Sequence, residues 1–123
     1  MKLKILVRNQ TRDTLLASAA EMADTSAKRR TGLLKHARLA PGEGLWIVPC
    51  EAVHSFGMKF AIDVLFLDRS KKIRKARPNM IPRRMSICFP AHSVLELPAG
   101  TIASTLTQSG DQLHFEKLAP ESN

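Results

Sequence analysis

The stretch Phe60–Leu67, FAIDVLFL, carries apolar side chains on both alternating faces, and Asp63 alone interrupts it. A strand open to water on one side alternates apolar with polar residues. One covered on both sides reads as a continuous apolar run. Residues 60–68 therefore predict a central strand, and the rest of the chain must supply two layers to cover it. The interruption raises a second requirement. An isolated carboxylate in an apolar interior costs several kcal/mol, so Asp63 needs a partner inside the fold.

The remaining pattern supplies short strands with one clear helix. Leu3, Ile5 and Val7 alternate with charged residues over Lys2–Arg8 as in a half-buried strand. After the polar turn NQTRD, residues 14–23 (TLLASAAEMA) read as a returning arm. Asp24 or Thr25 is placed to cap a helix running to about His36, and LWIV at 45–48 is a short strand. KKIRKAR is the expected return from the central strand, and Pro78 and Pro82 are expected to break any ladder in PNMIPRR. MSICF and SVLEL read as further strands, Thr101–Leu106 as a helical turn, and QLHFE as a last strand after the turn SGD. The fold class is mainly β (α+β): a small barrel-like or sandwich-like antiparallel sheet closed by one helix in the N-terminal half. At 123 residues the chain is expected to form one domain over residues 1–118, with 119–123 as a flexible tail.

Two further charges contradict the hydrophobic pattern. On a helical wheel Ala27, Leu33, Leu34 and Ala37 form an apolar stripe, and Arg30 falls at its centre. Glu96 is flanked by Leu95 and Leu97. One misplaced cation and two misplaced anions predict an internal cluster of Arg30 with Asp63, Glu96 or both, since a guanidinium fork suits two carboxylates. His54, on a loop before the strand, stands near its mouth. Such a cluster either docks the helix or meets a ligand. The leading reading is a non-catalytic binding module with Arg30, His54, Asp63 and Glu96 as candidate site residues.

Composition bounds the alternatives. Nineteen basic against eleven acidic residues give a net charge of +8. Residues 69–85 hold eight of the basic residues and no acidic one, so this segment carries the whole excess. Lys71, Lys72, Arg74, Lys75, Arg77, Arg83 and Arg84 are candidate contacts for nucleic acid or another polyanion, bound with strong salt dependence. No aromatic residue is interleaved with them, which disfavours stacking on single-stranded bases. A hydrolytic or metal-dependent enzyme around His54, Asp63 and Cys50 is the third reading, with Glu96 as a further mixed-ligand donor. Cys50 and Cys88 lack a CxxC neighbour, so a zinc ribbon is excluded. No GxGxxG, P-loop or HExxH occurs, so no cofactor and no metal are expected. The first residues alternate and lack the continuous apolar stretch of a signal peptide, and no run is long enough to span a membrane. The expectation is a cytoplasmic protein with an unidentified ligand.

Five segments together carry a resemblance: RRTGLL, GEGLWI, HSFGMKFAIDVLFLD, VLELPAG and GDQL, in this order and spacing over about residues 28–115. They resemble DUF192, an uncharacterised bacterial and archaeal family. Arg30, Gly32, Leu33, Gly44, Met58, Asp63, Phe66, Glu96, Gly100, Gly110 and Asp111 fit its pattern. The resemblance implies a compact, mainly β domain and no established activity. Many members look exported, whereas this chain shows no leader. SFGMKFA stands where some members carry a Trp before the methionine and Asn-Thr after it.

Overall fold

A computed structural model describes residues 3–118. The tail expected at 119–123 lies outside the described residues. The elements follow in chain order: β1 (Lys4–Asn9), β2 (Thr14–Ala23), α1 (Ser26–Thr31), β3 (Glu43–Ile47), β4 (Ala52–His54), β5 (Ile62–Leu67), β6 (Ile73–Met80), β7 (Met85–Ile87), β8 (Ser93–Pro98), α2 (Thr101–Thr105) and β9 (Leu113–Lys117). Seven strands form one sheet in the order β6-β5-β8-β3-β2-β1-β9, and β4 pairs with β7 as a separate ribbon. The sheet curls into a half-barrel, and its two edge strands meet at one end. There Lys72 bridges Gln112, the Gly110 N–H donates to Ile73 O at 2.7 Å, and the Leu113 N–H donates to Lys71 O at 3.0 Å. The expected β-rich, barrel-like class is the one observed.

The alternation read from sequence decides which side chains face the curl. Inside it pack Ile5, Val7, Leu65, Leu67, Leu95 and Leu97, with Ile102 of α2 among them. The other face of the same strands presents Ile62, Val64, Phe66, Leu45, Ile47 and Val94. Leu33, Val53 and Met58 cover that face from α1's downstream loop, from β4 and from the loop after it. All six residues of β5 are buried, because this strand is sandwiched between the two layers.

Five local expectations are corrected. The sheet is not wholly antiparallel: β2 and β3 pair parallel, Ala20 opposite Gly44, because α1 carries the chain back across before β3 begins. The helix is six residues long rather than reaching His36. Thr25 caps its start, and Gly32 ends it at φ +49°, a left-handed conformation that glycine adopts without a Cβ clash. No residue of α1 is buried, so the apolar stripe drawn through Arg30 is not a docking face; Leu33 enters the core only after the chain has left the helix. His54 lies on a strand, β4, not on a loop. Finally, β6 runs through Pro78. It is an edge strand, where a missing donor costs little, and the register shift between Ile62/Met80 and Val64/Arg77 accommodates the proline.

Candidate functional site

Asp63 is fully buried, and its partners are backbone amides. The Asn79 N–H donates to Oδ1 at 2.8 Å and the Ile102 N–H donates to Oδ2 at 2.7 Å. The first amide sits in the β6 bulge, where Asn79 has φ +48°. The second belongs to the first turn of α2, whose leading N–H groups have no partner within the helix. Asp63 thus ties the bulge to the helix start. Its carboxylate answers to hydrogen bonds and not to Arg30, which is exposed.

Glu96 has the opposite environment. It is 6% exposed, and among the described residues its carboxyl takes part in no hydrogen bond or ion pair. Burial alone pushes its pKa up to about 7. The register places it opposite Val64 on one side and Leu45 on the other, so it faces the layer beneath α1. On the neighbouring strand Gly44 leaves room for the β8 backbone, since a Cβ there would stand 3.2 Å from Glu96 O and 3.1 Å from a Leu97 methyl.

Glu96 lines a cavity of about 380 Å³ between α1 and the sheet. Leu33, Ile47, Val53 and Met58 supply apolar wall, and Arg29, Arg30, Cys50 and His54 also border it. Arg29 is held by neutral acceptors: Asp24 O at 3.0 Å, Ser26 Oγ at 3.4 Å and Val48 O at 3.5 Å. Arg30 has no hydrogen bond or ion pair among the described residues and is exposed at the border of the same cavity. The structure therefore brings Arg30, His54 and Glu96 to one pocket and leaves Asp63 out of it.

The grouping of Cys50, His54 and Asp63 is not formed. Cys50 and His54 border the cavity on the α1 side, while Asp63 is opposite Leu97 and faces the interior of the curl. Burial above all, with the nearby charge of Glu96 acting in the same direction, leaves the Cys50 thiol above its ordinary pKa, the reverse of an activated nucleophile. Cys50 and Cys88 are both free thiols. Among the described residues no three His, Cys, Asp or Glu side chains converge as a metal site.

The basic segment is divided between surfaces. Lys71 Nζ lies over the rings of Trp46 and Phe115, at 5.1 and 5.6 Å, and covers the end of the inner core. Lys75 lies over Phe66 on the other face and donates to Ile87 O at 2.9 Å. Arg74 approaches Asp68 at 3.9 Å. Lys72, Arg83 and Arg84 remain exposed, and Arg77 is half-buried.

A buried carboxylate does pair with an arginine, but it is Asp111 with the surface residue Arg12, a pair that the sequence reading missed. Arg12 donates from Nε to Asp111 Oδ2 at 3.0 Å and from a terminal nitrogen to Oδ1 at 3.3 Å. Asn9 and the Gln108 N–H complete the shell around the Asp111 carboxylate. Burial alone would raise the Asp111 pKa, but Arg12 and these hydrogen bonds outweigh it and hold the carboxyl below the usual range. Arg12 sits in a polar turn and Asp111 beside a glycine, so neither interrupts an apolar run that would have marked it.

Comparison with known proteins places this geometry in a family. The DUF192 family model, described as Uncharacterized ACR, matches residues 7–115. A UPF0127 protein from Thermococcus sibiricus is 30% identical over 121 residues, spanning 88% of this chain and 73% of that protein. A crystal structure from Sinorhizobium meliloti 1021, of a candidate transcription regulator, superposes with a TM-score of 0.81 at 23% identity, covering 94% of each chain. Another, of a protein of unknown function from Novosphingobium aromaticivorans, gives a TM-score of 0.77 at 20% identity over 90% of this chain and 83% of that one. At these identities the two structures share the fold. The family match over most of the chain shows that the protein belongs to the DUF192 family.

Proposed function

We propose that the domain is a non-catalytic binding module whose small ligand occupies the cavity between α1 and the sheet, against Glu96. The observation that carries this reading is the carboxyl itself. Every other buried carboxylate among the described residues is surrounded by donors: Asp63 by two amides, Asp111 by an arginine, an asparagine and an amide. Glu96 alone has none and opens on a cavity of a size that small-molecule sites use. A ligand that donates to it recovers the desolvation cost the fold leaves uncompensated. The apolar wall supplies area, and the polar groups at the lip supply orientation.

The test is a fragment screen read by amide NMR. Binders should move the signals of Leu33, Val53 and Met58 together, and Met58→Trp, which fills the cavity, should abolish those shifts. A broad screen that never perturbs these residues contradicts the proposal.

A polyanion reading draws on the exposed basic residues Lys72, Arg74, Arg83 and Arg84. The division of the segment between two faces weakens it, because counterion release scales with the number of phosphates neutralised at once.

A further inference from the structure

The cavity has a charge direction. Its carboxyl is buried, on β8 in the sheet; its unengaged guanidinium is exposed, on α1. The groups that face Glu96 across the cavity are Arg29 and Arg30 from α1, Cys50 from the segment before β4, and His54 from β4. None of them is within hydrogen-bonding or ion-pairing distance of it, and Arg29 already spends its donors on backbone carbonyls and Ser26. Two side chains of opposite sign thus stand unsatisfied at different depths of one pocket, with apolar wall from Leu33, Ile47, Val53 and Met58 around them.

We propose that the pocket binds a zwitterionic small molecule of the ω-amino acid class, its ammonium group on Glu96 and its acidic group on Arg30. This rests on the binding-module reading and gives its ligand a chemistry. A purely anionic ligand would set a second negative charge against a buried carboxyl. A purely cationic one would have to pass two arginines and leave Arg30 unanswered. A neutral apolar ligand would seal the buried Glu96 carboxyl without a partner, a costly arrangement. The zwitterion opposes the pocket's own charge direction, and its methylene spacer covers the wall. The guanidinium suits a carboxylate because it can donate in parallel from two nitrogens.

Titration of the whole chain with ε-aminohexanoate, hexylamine and hexanoate, which share one carbon skeleton, separates the contributions. At about pH 8, where Glu96 is largely ionised, the ω-amino acid should bind at least about tenfold more tightly than either single-charge analogue. Glu96→Gln should remove its advantage over hexanoate, and Arg30→Gln its advantage over hexylamine. Hexanoate or hexylamine binding as tightly as the zwitterion would overturn the charge assignment while leaving the pocket occupied. No response to any of the three would also overturn it, and the fragment screen then judges the binding-module reading separately. A readout that needs no Glu96 variant is proton release by the wild-type chain near neutral pH, measured in two buffers of different ionisation enthalpy. An ammonium arriving on Glu96 should expel its proton, and binding without release contradicts the contact.

Discussion

Asp63 and Glu96 stand on neighbouring antiparallel strands one register position apart, Asp63 opposite Leu97 and Val64 opposite Glu96, and so they face opposite sides of the same sheet. No single side chain can serve both. This offset separates an architectural carboxylate, spent on two amides, from one that faces a cavity with no partner among the described residues. The two acids look alike in sequence, each a lone charge in an apolar strand.

Removing Asp63 should be costly. Asp63→Ala strands the amides of Asn79 and Ile102 and loosens both the β6 bulge and α2, at about 2–4 kcal/mol. Asp63→Asn should cost less, because its amide oxygen keeps one acceptor. Denaturant unfolding measures both. A loss below about 1 kcal/mol for the alanine variant would mean that the clamp is dispensable.

The arginines should rank in the reverse of their order of prominence in sequence. Arg30→Ala should change stability by less than about 1 kcal/mol, as exposed charges do. Arg12→Ala leaves the buried Asp111 carboxylate without its cation and should cost roughly 2–3 kcal/mol. The Asp111 pKa is lowered by folding, so its contribution is present above the unfolded carboxylate range and is lost as pH falls through the folded value. Asp111→Asn should therefore flatten the acid limb of the stability profile below about pH 4. An unchanged acid limb would exclude the pair as a source of it.

Glu96 gives the opposite sign. Its pKa is raised by folding to about 7, so the folded state binds the proton more tightly than the unfolded one. Stability is greatest below the ordinary glutamate range and declines as pH rises toward the folded value; above that the deficit is constant. Glu96→Gln should match the wild type near pH 4 and exceed it by on the order of 1–3 kcal/mol near pH 8. Parallel profiles for the two proteins would show that the carboxyl is not desolvated.

Replacing Lys72, Arg74, Arg83 and Arg84 by glutamine tests the basic segment. With the pocket as the site, RNA retention at low salt should be weak and should fall only in proportion to the lost charge. Tight retention abolished by the four changes would restore the polyanion reading.

The strands were legible because burial imposes a period of two on the sequence, and β5 in particular announces its two-sided cover. Glu96 was legible as a misplaced charge for the same reason. Its separation from Asp63 was not, because facing direction depends on how two strands pair whose acids are 33 positions apart in the chain, and periodicity within each strand is silent about that. Arg30 misled because the wheel was drawn through Gly32. A glycine at φ +49° ends the helix, so Leu33 and Leu34 do not share its face. The Arg12–Asp111 pair joins a turn to a loop, where hydrophobic pattern carries no information at all.

The most direct test of the account is the titration of the Glu96 side-chain carboxyl by NMR in the ligand-free chain. The structure predicts a midpoint near 7. A Glu96 midpoint in the ordinary glutamate range would mean a hydrated or paired carboxyl, and the pocket would lose the feature on which its function rests.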